Sequence, residues 1–144
     1  MKKILHIILG LVFVFDVALY ATSISAEQKI YRLIFHGVFP DKNVVSVWVD
    51  DAQKRKILSG MRSVRLVESQ RNPDLLLIAK DFNITSDKVL FVSSYPLLKH
   101  YKDIAIGGFY WKKGRPNLLF IRKNLRKKQR YLPLSLQKYV EEEL

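Results

Sequence analysis

The sequence predicts an α/β domain: a three-layer sandwich around a mostly parallel sheet of about five strands, with a C-terminal β-hairpin and closing helices. Three observations carry that prediction. Short β-branched or apolar runs recur at 44–49, 64–67, 75–79 and 89–92, each of strand length. Helix signals alternate with them, which implies right-handed crossovers and parallel pairing. Two later apolar runs flank the turn residues 112–117 and read as antiparallel partners.

Residues 1–26 are set aside from the fold. Met1-Lys2-Lys3 is a positive n-region, residues 4–20 are almost wholly apolar, and residues 21–26 supply small residues up to Ala26. This is the pattern of a secretory signal peptide, so we expect an exported, periplasmic protein whose single domain spans 27–144. The rival is an uncleaved anchor. It is disfavoured because the apolar run is short for a bilayer span and carries Asp16, a carboxylate that is costly at membrane depth.

The elements follow in order. Ile30, Leu33 and Ile34 lie at helical spacing over 27–35, with Gly37 as a stop signal. Residues 39–43 are turn chemistry, and 44–49 form an interior strand. Asp50 or Asp51 can cap a helix over 52–58 that Gly60 ends. Residues 64–67 are a short strand. Asn72-Pro73-Asp74 breaks the chain before Leu75-Leu76-Leu77-Ile78-Ala79, a continuous apolar run suited to a strand covered on both faces. Residues 89–92 repeat that signature. Ser93-Ser94 then lead into a helix that tolerates Pro96 near its start. Strands at 104–111 and 118–121 make the hairpin, and helices over 122–130 and 135–143 close the chain.

Composition narrows the function classes. Hydrophobic residues at 49% and charged ones at 26% allow a buried core. No cysteine is present, which excludes disulfides and thiolate catalysis. Loss of residues 1–26 removes Lys2, Lys3 and Asp16, so 25 basic and 13 acidic residues become 23 and 12, a net of +11 over 118 residues. That excess favours an anionic partner, and export turns the expectation from nucleic acid to a membrane sensor protein or an anionic membrane surface. A homodimer also stays open.

Few residues suggest chemistry. His36 and His100 are far apart in sequence and have no metal-ligand spacing, and no GxSxG, GxGxxG or Walker pattern occurs. We expect no enzyme activity, no cofactor and no metal. Asp50-Asp51 at a strand end reads chiefly as a helix cap. Ser93-Ser94-Tyr95 combines two hydroxyls with the free amides of a helix start, and Ser93 and Ser94 are candidate ligands for an anion. Gly107-Gly108 reads as a bulge or a close packing approach. The strongest signal is the acid-free segment 112–130. Its candidate partner-binding residues are Tyr110, Trp111, Lys112, Lys113, Arg115, Lys127 and Lys128, basic groups beside aromatics that can hold phosphates or lie on an anionic surface.

The chain also resembles the YfiR-like family of small periplasmic proteins. The resemblance rests on residues 30–35 with Phe39-Pro40, on 74–79, on Val89-Leu90-Phe91-Val92-Ser93, on Ile106-Gly107-Gly108, on Leu118-Leu119-Phe120 with Asn124-Leu125, and on residues 132–136. It implies a non-enzymatic regulator that binds the periplasmic sensory domain of an inner-membrane diguanylate cyclase. The alternative is a small anion-binding module similar to one lobe of a periplasmic solute-binding protein.

Overall fold

A computed structural model of the chain describes residues 24–144. The signal-peptide and anchor readings fall on residues 1–23, outside the described residues, and residues 24–26 belong to the first helix. Helix α1 is described over 24–38. It is followed by β1 (Val45–Val49), α2 (Ala52–Ser59), β2 (Val64–Leu66), β3 (Leu75–Ile78), β4 (Val89–Val92), α3 (Tyr95–His100), β5 (Ala105–Lys112), β6 (Arg115–Ile121), α4 (Arg122–Lys127), α5 (Leu134–Gln137) and β7 (Val140–Glu141).

One sheet runs β2-β1-β3-β4-β5-β6-β7. The first five strands in that order are parallel, β6 is antiparallel to β5, and β7 is parallel to β6. The predicted fold class is therefore the observed one, with seven strands among the described residues instead of about five. The largest local difference is at the C-terminus. The expected helix over 135–143 stops at Gln137, and Val140 pairs with Phe120 in the sheet. One turn of helix is all that the burial of Leu136 requires.

Two cores lie on the two faces of the sheet. Leu75 and Leu77 point to one and Leu76 and Ile78 to the other, and all four are fully buried. That is why the run carries no polar alternation. The larger core receives Tyr31, Ile34 and Phe35 from α1, Leu58 from α2 and Leu136 from α5. The smaller receives Leu97 and Leu98 from α3 and Ile84 from the loop before β4.

Gly37 does not stop α1. The helix continues through it to Val38 and ends at Phe39-Pro40, because the residue before a proline is pushed out of helical geometry. A Cβ on Gly37 would lie 2.3 Å from Leu136 Cδ1, so the glycine lets α5 approach. Gly107 serves a related purpose: its Cβ would meet the Leu119 carbonyl oxygen at 2.3 Å across the hairpin. The β4–β5 register also slips beside it, between Leu90 and Phe91, so Gly107-Gly108 shows both the irregularity and the close approach expected of it.

The hairpin turn is tighter than the sequence suggests. Lys112 pairs with Arg115, which leaves only Lys113 and Gly114 as the loop, with φ of 50° and 71°. Two left-handed residues make a type I′ turn, whose twist matches the flanking strands. Consequently β6 starts at Arg115, not at 118.

Candidate functional site: an aromatic and basic corner

In doubly wound sheets the usual ligand crevice lies where strand order reverses, beyond the carboxyl ends of the strands. Here that place is between β1 and β3, and the chain's own carboxylates fill it. Asp50 accepts the backbone N–H groups of Ala79, Lys80 and Asp81 at 2.6, 3.0 and 2.8 Å. Asp51 accepts the Lys54 amide at 3.0 Å as the cap of α2 and pairs with the Lys80 ammonium at 2.8 Å. Burial pushes the Asp51 carboxyl up, but the Lys80 ammonium and the Lys54 amide outweigh it and hold the pKa below its ordinary value. Of the two candidate caps, Asp51 caps α2, while Asp50 instead holds the loop that follows β3.

The open site lies one strand pair away. Ser93 and Ser94 follow β4, and Tyr110, Trp111 and Lys112 end β5. Because β4 and β5 are adjacent and parallel, the two groups come to the same end of the sheet, beyond the carboxyl end of β4. With Tyr95 and Pro96 they line a single cleft of about 520 Å³. Two sets of candidate residues that the sequence presents separately are thus neighbours.

Aromatic packing shapes this cleft. The rings of Tyr95 and Tyr110 are 5.8 Å apart, and the Lys99 ammonium lies 5.5 Å from the centre of the Tyr95 ring. Trp111 packs edge-on against Phe109 with centroids 5.8 Å apart. Tyr95 remains 46% exposed and Trp111 40%. The hairpin tip adds a basic rim, where Lys112, Lys113, Arg115 and Asn117 enclose a further hollow of about 350 Å³.

Ser94 is engaged already: its hydroxyl oxygen caps α3 by accepting the Leu97 amide at 3.3 Å. Ser93 is held by its backbone, whose N–H donates to the Ile78 carbonyl at 3.0 Å. His100 contacts the Phe82 carbonyl at 2.7 Å and stacks edge-on with Tyr101, while His36 is an exposed residue of α1. Among the described residues no three metal-ligating side chains come together, and no helix is long and apolar enough to cross a membrane.

The basic segment 112–130 does not form one surface. Lys112, Lys113 and Arg115 sit at the far end of the hairpin, whereas Lys127 and Lys128 lie beyond its base. Lys127 donates to the Asp103 carbonyl at 3.5 Å and Lys128 to the Asp87 carbonyl, both in loops that precede strands. The length of β5 separates the groups by roughly 20 Å, at about 3.3 Å per residue. The α4 arginines are also paired internally: Arg122 and Arg126 both bind Glu142, at 3.2 and 3.1 Å. Among the described residues Lys112, Lys113 and Arg115 at the hairpin tip have no carboxylate partner and lie beside the aromatics, with Lys99 over the Tyr95 ring.

The sequence places Tyr95 with Ser93 and Ser94 at the start of α3 but does not show that it faces Tyr110. Its neighbour in the cleft is 15 positions away, and only the pairing of β4 with β5 brings them together. The chain matches no protein-family model, no curated protein and no solved structure.

Proposed function

We propose that the chain is an exported, non-enzymatic regulatory protein that binds the periplasmic part of an inner-membrane sensor, such as a diguanylate cyclase, through the corner formed by Tyr95, Tyr110, Trp111 and the hairpin tip. The observation supporting this reading is the contiguity of half-exposed aromatics with Lys112, Lys113 and Arg115. Aromatic side chains and arginine are the groups that concentrate binding energy at protein interfaces. The basic rim suits an acidic partner surface and would speed encounter with it. The Ser94 oxygen already satisfies the Leu97 amide, which removes one helix-start donor from the anion-module alternative.

The test is genetic and chemical together. Deleting the gene should raise cellular cyclic di-GMP, and wild-type protein should restore the original level. A Trp111→Ala, Lys113→Glu variant, present in the periplasm at wild-type amount, should fail to restore it. A cyclic di-GMP level that does not change on deletion overturns the cyclase reading.

A further inference from the structure

A second concave site lies at the other end of the sheet, between α1 and the beginning of β1, and it does not depend on the partner reading above. Helical spacing puts Lys29, Arg32 and His36 along one exposed stripe of α1. That stripe forms one wall of a cleft of about 520 Å³, with Leu33 and Val45 as apolar lining and Ser63 on the opposite side.

The charges in this cleft are unbalanced. No carboxylate lines it. Lys42 also faces it, but its ammonium is paired with Asp74 at 2.9 Å. Among the described residues Lys29, Arg32 and His36 have no carboxylate partner. Two further groups are unsatisfied. The Ser63 hydroxyl is shielded from solvent and makes no hydrogen bond among the described residues, a state that buried polar groups seldom tolerate without a ligand or water. Leu33 leaves 45% of its surface in water beside the cations.

We propose that this cleft binds a phosphate monoester carrying an apolar body. A phosphate monoester has roughly −1.5 to −2 charges at neutral pH and three acceptor oxygens, enough to serve the Arg32 fork, the Lys29 ammonium and a ring N–H of His36 together. A monocarboxylate would satisfy the guanidinium alone. The cleft lies within the range of small-molecule sites, about 300–1,000 Å³, and is far larger than an inorganic phosphate needs. The remainder is walled by Leu33 and Val45, which is where the apolar body lies. The same chemistry can come from a soluble ester or from the head group of a phosphatidate lipid.

Calorimetric titration of the purified chain tests the proposal, with hexyl phosphate, inorganic phosphate and hexanol as probes. A parallel arm measures sedimentation with phosphatidylcholine vesicles, with and without phosphatidic acid. Hexyl phosphate should bind saturably with one site per chain, inorganic phosphate about tenfold more weakly or worse, and hexanol not at all. Arg32→Gln should weaken binding about tenfold or more, the loss of one charge-assisted contact, without moving the melting temperature. Lys102→Gln, in the turn before β5, should bind as wild type. Cosedimentation with phosphatidate vesicles that Arg32→Gln abolishes identifies the lipid as the source, and binding in the soluble arm alone identifies a free ester. The proposal is overturned if neither arm binds, if Arg32→Gln binds as wild type, or if inorganic phosphate binds as tightly as hexyl phosphate.

Discussion

Gly37 and Leu136 touch so closely that no side chain fits between them: a Cβ on the glycine would lie 2.3 Å from Leu136 Cδ1. Both residues are fully enclosed, so the leucine has little room to swing aside. Gly37→Ala improves helix propensity in α1 but overpacks the α1–α5 contact, a strain of about 1–3 kcal/mol. We expect a net destabilisation in denaturant melts. In a Leu136→Ala background the same substitution should become neutral or stabilising, and a cycle showing no such coupling would remove the contact from the core.

Ser46 and Asp74 bind each other reciprocally across β1 and the residue before β3. The Ser46 amide and hydroxyl donate to Asp74 Oδ2 at 2.8 and 2.9 Å, and the Asp74 amide is 2.9 Å from the Ser46 hydroxyl oxygen. Burial raises the Asp74 pKa, but the Lys42 ammonium and Ser46 outweigh it and leave the carboxyl below its ordinary value. A depressed carboxyl stabilises the fold above the unfolded pKa of about 3.9, and that contribution is lost as pH falls through the folded value. Stability should therefore decline on acidification below about pH 4–5. Asp74→Asn should cost about 1–3 kcal/mol at neutral pH, the loss of hydrogen bonds to a charged group, and should flatten the acid limb of the pH–stability curve. An unchanged acid limb would assign the decline to other carboxylates.

The division of the basic segment makes a sharper test than its total charge. Reversing Lys112, Lys113 and Arg115 should abolish partner binding measured with the purified sensor domain, while reversing Lys127 and Lys128 should leave it near wild type. Each set should change stability by only about 0–1 kcal/mol, as is usual for exposed charges. Equal loss of binding from both sets would mean that the partner spans the length of the hairpin.

Lys113 holds a left-handed backbone at φ 50°, a conformation costing a residue with a Cβ about 1–2 kcal/mol. Lys113→Gly removes that strain but adds flexibility to the unfolded chain. We expect a melting temperature equal to or above wild type. A clear drop would show that the Lys113 side chain supports the hairpin.

Much of the architecture was legible because it is local. The unbroken apolar run 75–79, set off by Asn72-Pro73-Asp74, suits a strand covered on both faces, and Asp51 and Ser94 stand where a helix needs its first amides satisfied. Composition and spacing carry such information without knowledge of distant partners. What the sequence could not reveal depends on which segments meet. Gly37 reads as a stop until Leu136 is seen against it, and residues 140–141 become a strand because β6 offers Phe120 an open edge for pairing. The candidate site shows both limits. Its residue types were visible, but parallel pairing of β4 with β5 joined Ser93, Tyr95 and Tyr110 into one cleft. The antiparallel return of β6 carried Lys127 and Lys128 to the opposite end of the sheet. Charge and aromaticity are properties of residues, whereas a surface is a property of strand order and direction, which the tertiary structure alone decides.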